Sequence, residues 1–332
     1  MHPFTLERPR DLAAALAAGA QAGRNDAPAE YMAGGTDMVQ LLQEYVRRPE
    51  RLVSLAGLLD DRIEAGSQGL RLGAGATMAD VAAHPAVLEQ YPLIAEALLN
   101  SASPQVSNQA TMGGNLLQRT RCPYFRDVGY AACNKRAPGS GCAAIGGENR
   151  WHAVLGTSET CIAANPSDLA VALVALDAAV EVRGGRRQRV VPLTDFHRLP
   201  GSTPHLETVL EPGEVITAIT VPASPAARRS HYLKVRDRAS FEFAIVSAAV
   251  ALEMDGVRIR QARVALGGVG TKPWRVPQVE AALAGASLDP AALQGAAALA
   301  AEGAQAHGHN DFKLELMQRA IVRAVETAGA RA

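Results

Sequence analysis

Apolar residues recur at two periods along this chain, and the changes of period mark its elements. Residues 11–22 are helical by composition, and residues 31–33 form a short strand ahead of a glycine pair. A helix through Met38, Leu41 and Leu42 and a strand over 51–55 follow. A strand over 70–75 then leads into helices over 78–83 and 92–99. Strands alternating with helices predict an α/β arrangement here.

Between residues 101 and 165 the periodicity disappears, and Gly, Asn, Arg, Pro and Cys dominate. Compact domains rarely keep an irregular stretch of that length without a functional reason. Beyond it the pattern predicts a helix over 167–176 and strands over 179–183, 189–192 and 214–221. The Pro/Ala/Ser run at 222–227 marks a domain boundary. Residues 232–236, 244–254 and 257–267 predict a three-stranded antiparallel meander, with Asp255-Gly256 as its hairpin turn. Helices over 276–284, 290–301 and 311–327 follow, the last with Leu314, Met317, Ile321 and Val325 on one face. Strands followed by helices make this second unit α+β.

Composition narrows the function classes. Hydrophobic residues are 48% and charged residues 20%, ordinary for a soluble globular chain of 332 residues. Lys plus Arg and Asp plus Glu both number 33, so there is no basic excess to serve nucleic acid. A net charge of zero also leaves little repulsion against association with partners. The first dozen residues have no apolar core or cleavage site, so no signal peptide is expected. No apolar run is long enough to predict a membrane span.

All four cysteines, Cys122, Cys133, Cys142 and Cys161, fall inside the irregular stretch. Buried structural thiols would be scattered through the elements instead. Zinc sites show close Cys pairs, and disulfides belong to small exported domains. A 4Fe–4S cluster needs four converging thiolates, which an irregular loop can deliver from wide spacings. Arg121, Arg126, Lys135, Arg136 and the Gly139-Ser140-Gly141 turn lie among them and would offset cluster charge. Spacing alone does not decide between cluster, zinc and disulfides.

Three segments suit contact between backbone and a large anionic ligand. The first is Ala33-Gly34-Gly35-Thr36-Asp37, between a strand and a helix whose N-terminus would supply N–H groups. The second runs from Asn108 to Asn115 and contains Thr111, Gly113 and Gly114. In the third, Asn165-Pro166-Ser167-Asp168, Ser167 would cap the next helix and Asp168 would accept from ribose hydroxyls. Gly73 and Gly75 lack a third glycine in register, so a Rossmann fingerprint fails.

In order, these segments resemble the FAD-binding subunit of the xanthine dehydrogenase and carbon monoxide dehydrogenase family. The resemblance continues through Leu210-Glu211-Pro212-Gly213-Glu214-Val215-Ile216, residues 234–246, Gly267-Gly268-Val269 and Lys272-Pro273-Trp274-Arg275. It implies an α+β fold: a two-lobed FAD domain of the vanillyl-alcohol-oxidase type over 1–225, its lobes about 1–57 and 58–225. A C-terminal domain of three-stranded antiparallel sheet plus helices would occupy 228–330.

Most of the family lacks the stretch over 119–163 that holds the cysteines. An insertion there resembles the flavin subunits of periplasmic aldehyde oxidoreductase and 4-hydroxybenzoyl-CoA reductase, which carry a 4Fe–4S cluster. The runs from Asn115 to Phe125 and from Cys133 to Cys142 are most similar to the former. By that resemblance Cys122, Cys133, Cys142 and Cys161 ligate the cluster. Backbone of 33–37 and 111–115, with Asn108, holds FAD, and Asp168 and Lys234 contact its polar groups. Phe241-Glu242-Phe243-Ala244 departs from the Asp-Asp-Ile-Ala of many relatives.

The implied partners are a molybdenum-cofactor large subunit, a 2Fe–2S small subunit and an external electron acceptor. The implied compartment is the periplasm by co-export with a partner, or the cytoplasm. No acid–base catalyst is expected. His152 and His197 stand in loops, where a lone histidine is usually a surface residue.

Overall fold

The computed structural model describes residues 1–21, 29–185 and 187–331, and three sheets follow one another along the chain. The first holds β1 (Thr5–Glu7), β2 (Glu30–Met32) and β3 (Arg51–Ser54), in the order β1-β3-β2 and all parallel. Parallel neighbours need crossovers. The helix Leu12–Gly19 lies between β1 and β2, and the helix Met38–Gln43 between β2 and β3. Asp11 starts the first by accepting from the Ala14 amide at 2.7 Å, an N-cap. Its residues Ala15 and Leu16 pack with Val53 and Leu55 into a small core.

The second sheet is antiparallel, ordered β4-β5-β8-β6-β7. Its strands are β4 (Ile63–Gly66), β5 (Gly69–Gly73), β6 (Ala179–Gly184), β7 (Arg187–Pro192) and β8 (Val215–Pro222). Strand β8 enters the middle of the sheet from the far side of the irregular stretch, so that stretch hangs from a closed unit. Every residue of the helix Asp168–Ala175 is buried. It is covered on one side by the helix Pro92–Leu99 and on the other by the third sheet.

The third sheet, ordered β12-β11-β10-β9, contains β9 (Ser230–Val235), β10 (Val246–Asp255), β11 (Arg258–Gly267) and β12 (Trp274–Arg275). It has four strands where three are predicted, because Trp274 and Arg275 pair with Leu266 and Ala265. A two-residue edge strand has no period of its own to read. The turn after β10 uses Gly256 at φ 57° as expected. Helices Pro277–Leu283, Pro290–Ala298 and Lys313–Gly329 close the unit, and Met317, Ile321 and Val325 of the last are fully buried.

Other differences from the sequence pattern are local. Strands β1 and β4 and the helix Pro85–Gln90 are absent from the expectations, all being short. The first helix ends at Gly19, and residue 22 of the expected span lies outside the described residues. The irregular stretch contains short helices at Pro104–Ser107, Met112–Leu116 and Pro123–Arg126. Phe125, 2% exposed, seats the insertion on Leu41 and Val46, with Cys133 in the same apolar cluster.

Candidate functional site

The glycine segments meet through backbone. A Cβ on Gly34 would lie 1.8 Å from the Gln109 carbonyl oxygen, so only glycine lets the first segment touch the second. Gly35 takes φ 74°, a left-handed conformation open to glycine. Asp37 does not cap the helix that follows it. Its carboxylate turns toward the insertion and accepts from the Arg119 amide at 2.8 Å and from Arg126 Nη2 at 2.7 Å, with Arg121 also bonded.

In the second segment Thr111 caps the helix Met112–Leu116 by accepting from the Gly114 amide at 3.2 Å. The Gly113 amide donates to the Ala74 carbonyl at 3.0 Å, and a Cβ there would crowd Ala74 at 3.0 Å. The Asn108 amide closes the helix Pro104–Ser107 onto Pro104 at 3.0 Å. Asn115 is buried, and its Oδ1 accepts from Ser167 Oγ at 2.7 Å, joining the second segment to the third. Ser167 Oγ also accepts from the Ala170 amide at 3.0 Å, so the expected cap is present.

A cavity of about 340 Å³ opens beside the third segment. Its walls come from residues 164–168 and Val171, residues 120–123 and Trp151 and His152 of the insertion, residues 242–244 and 247, and Gly267 and Gly268. Ala33 to Asp37 and Asn108 to Asn115 are not among these walls. Thus the cavity lies where the insertion, the buried helix and the third sheet converge.

Asp168 is on the wall and only 4% exposed. Its Oδ1 accepts from Tyr232 Oη at 2.6 Å and its Oδ2 from Lys234 Nζ at 2.9 Å. Residues two apart on a strand share a face, so β9 brings both partners to one carboxylate. Burial, then the Asp168 charge, drives the Tyr232 hydroxyl well above its usual value. Lys234 also donates to the Asn100 carbonyl at 2.9 Å and stands behind Asp168, off the cavity wall.

The cysteines occupy one loop as free thiols. Cys133 and Cys142 face each other in an antiparallel bridge, and Cys161 bridges to Ser158. Burial, with the charges of Cys133 and Cys161 adding to it, pushes the Cys122 thiol up to about 12. Burial likewise raises Cys161, with Cys142 and Cys133 adding to it and Lys135 opposing. Cys122 and Cys161 thus each stand near two of the other cysteines. Among the described residues, no group of three His, Cys, Asp or Glu is placed to hold a metal ion.

The basic residues among the cysteines also make contacts within the protein. Arg136 Nη1 donates to the Tyr124 and Phe125 carbonyls at 2.8 and 2.9 Å. Lys135 pairs with Glu207 at 2.6 Å. Arg121 and Arg126 serve Asp37. They brace the loop's own fold, because a stretch without sheet or long helix must satisfy its carbonyls by side chains.

Both histidines expected on the surface are buried, His152 at 2% and His197 at 4% exposed. Burial pushes each imidazole down to about 4. His152 Nε2 stands 3.1 Å from Cys122 Sγ, and His197 Nε2 donates to the Leu116 carbonyl at 3.0 Å. Lys313, fully buried, was not among the expected site residues. A signal for it exists: it precedes Met317 by four positions, which puts a lysine on the apolar face of its helix.

Comparison with known proteins now bears on this geometry. Residues 2–224 match the family described as the FAD binding domain in molybdopterin dehydrogenase, and 231–328 match the CO dehydrogenase flavoprotein C-terminal domain. The chain belongs to the family of FAD-binding medium subunits of molybdenum hydroxylases. It is 46% identical to the aldehyde oxidoreductase FAD-binding subunit PaoB of Escherichia coli, over the whole of both chains. It is 27% identical to the carbon monoxide dehydrogenase medium chain of Afipia carboxidovorans, over 99% of this chain and 98% of that one. Among solved structures it superposes on a CO dehydrogenase chain from Oligotropha carboxidovorans with a TM-score of 0.76, at 26% identity and full coverage of both. The expected fold, an FAD-binding unit followed by a smaller α+β unit, is the one observed. No helix among the described residues is long and apolar enough to cross a membrane.

Proposed function

We propose that this chain is the FAD- and 4Fe–4S-carrying electron-transfer subunit of a molybdenum-dependent aldehyde oxidoreductase. It receives electrons from a 2Fe–2S small subunit, itself supplied by a molybdenum-cofactor large subunit, and delivers them to an external acceptor. The reading is carried by identity of 46% along the full length of an aldehyde oxidoreductase FAD-binding subunit. Bound FAD supplies the electron-carrying chemistry, and the protein supplies position and electrostatics.

The residues suit that cofactor. Ligand cavities run from about 300 to 1,000 Å³, and this one, at about 340 Å³, would take part of a dinucleotide. Each Asp168 oxygen has accepted one hydrogen bond and keeps capacity for another, so the carboxylate would hold a ligand hydroxyl. Lys234 would hold that carboxylate in place. Backbone of Ala33 to Asp37 and of Thr111 to Asn115, with Asn108 at its entry, would hold the pyrophosphate end.

The cysteine loop suits a cluster better than a single ion. Four thiols in one loop match the ligand count of a 4Fe–4S cluster, and their wide sequence spacings lack the close Cys pairs of zinc sites. Four free thiols in one loop, with a histidine nitrogen against Cys122, support that arrangement.

The test is an absorption spectrum with iron, zinc and flavin quantified on the purified protein. About four irons and one FAD per chain are expected. Zinc without flavin would overturn the reading, and FAD without iron would remove the cluster from it. Assembled complex that ignores aromatic aldehydes but turns over hydroxybenzoyl-CoA would replace the substrate class.

A further inference from the structure

We propose that Lys313 is a buried positive charge that sets the reduction potential of the flavin, an inference that rests on FAD occupying the cavity. Lys313 is 0% exposed and begins the last helix of the chain. Its Nζ donates to the Gly268 carbonyl at 2.7 Å and to the His152 carbonyl at 3.0 Å. Both acceptors belong to residues of the cavity wall, one from the third sheet and one from the insertion. The ammonium therefore stands one peptide layer behind the space the ligand would fill.

Among the described residues no other charge at this wall is free of an ion pair. Asp168 is neutralised by Lys234 at 2.9 Å, Glu242 by Arg238 at 3.3 Å, and Arg121 by Asp37. Lys313 has only carbonyl dipoles as partners and no ion pair among the described residues. Burial, with Arg150 adding to it, pushes its ammonium down to about 7. Holding an unpaired cation there costs stability. The backbone that holds it is itself rigid: Gly268 takes φ 72°, and a Cβ there would meet the Ile245 carbonyl at 2.5 Å.

A cation in a low-dielectric wall favours whichever ligand state carries more negative charge. Uptake of two electrons and one proton leaves one added negative charge on the ring system. Lys313 would stabilise that state and raise the potential at which electrons enter. It is a positioning residue acting through its field, and the proposal gives it no part in proton transfer.

The test is a dye-equilibrated redox titration of the FAD-loaded full-length protein at pH 6, with dithionite as reductant. Lys313→Met is expected to lower the ratio of reduced to oxidised flavin at fixed potential at least tenfold, about 30 mV for a two-electron couple. Lys313→Arg keeps the charge and is expected to leave the ratio within twofold of wild type. An unchanged K313M potential overturns the proposal, as does a K313R shift as large as that of K313M. If K313M holds no flavin, Lys313→Gln, which keeps a donor without the charge, makes the same comparison. Loss of flavin from both neutral variants would make Lys313 a structural clamp and overturn the electrostatic role. A wild-type protein without FAD would instead overturn the functional reading on which the inference rests.

Discussion

Lys234 Nζ meets Asp168 Oδ2 at 2.9 Å with 1% of the lysine side chain and 4% of the aspartate side chain exposed. This ion pair links β9 to the first turn of the buried helix Asp168–Ala175, and thereby the two units of the chain. Breaking a buried pair on one side leaves a charge without compensation and costs about 3–5 kcal/mol. Lys234→Met is therefore expected to destabilise the protein by that order and to lower its FAD content. Asp168→Asn removes the charge but keeps an acceptor for Tyr232. The double variant D168N/K234M is expected to cost clearly less than the sum of the single ones, because it strands no charge. Denaturant unfolding of the four proteins measures the cycle, and simple additivity would show the pair to be uncoupled.

Asp37 is the second junction, between the first glycine segment and the cysteine loop. Its carboxylate serves the Arg119 amide and the guanidinium groups of Arg121 and Arg126, with 16% of its side chain exposed. Asp37→Ala leaves two partly buried cations and an amide without their acceptor, at a cost of about 2–3 kcal/mol. The loss falls on the first-segment side of the insertion, which is otherwise seated there by Phe125 and its neighbours, while Lys135 and Glu207 hold it elsewhere. Limited proteolysis is expected to cut D37A within 119–163 several times faster than wild type. Equal cutting rates and sites in both would show that the loop is held by other means.

Part of this arrangement is visible along the sequence and part is not, for physical reasons. The strand predicted over 51–55 appears as β3, and the meander appears as β9 to β11, because burial of one or both faces imposes a period or an apolar run. Ser167 as a cap and glycine at Gly34 are local requirements and show as local motifs. What joins Asp37 to Arg126 is not local: 89 positions separate them, and nothing in either neighbourhood names the other. The same holds for Lys234 and Asp168, 66 positions apart. His197 was expected at the surface because a lone histidine in a loop is usually a surface residue, yet it is buried. Lys313 is the opposite case, since a lysine on the apolar face of a predicted helix carries its own signal.

The cysteine loop allows the two proposed cofactors to be separated. Cys122, Cys133, Cys142 and Cys161 do not touch Gly34, Gly113 or the Asp168–Lys234 pair in any hydrogen bond described here, and Cys122 alone reaches the cavity wall. Replacing Cys133 or Cys142 by Ser is expected to remove most of the iron while leaving FAD at or near one per chain. Cys122→Ser, at the wall, is expected to lower FAD slightly as well. Iron assay with flavin absorbance on each variant measures this. Joint loss of iron and FAD from C133S and C142S would mean that the loop also builds the flavin pocket.

His197 gives the acid limb of stability a measurable component. Burial holds its imidazole neutral down to about 4, against an ordinary 6.5, so between those values the unfolded chain binds a proton that the folded one refuses. Stability from this group is fully present above pH 6.5 and is lost as pH falls from 6.5 to 4. At about 1.4 kcal/mol per unit, the loss is on the order of 3 kcal/mol. His197→Phe keeps a ring where Phe196 already packs edge-on against it and removes the titration. It also strips the Leu116 carbonyl of its donor, a penalty of about 1 kcal/mol that does not depend on pH. H197F is thus expected to start less stable than wild type at pH 7.5 and to lose less on acidification. The carboxylates held low by arginines, such as Glu214 by Arg189, fade in both proteins alike and cancel in the comparison. Urea unfolding from pH 7.5 to 4.5 traces both curves. Parallel curves would show that His197 takes up its proton in the folded state as readily as in the unfolded one.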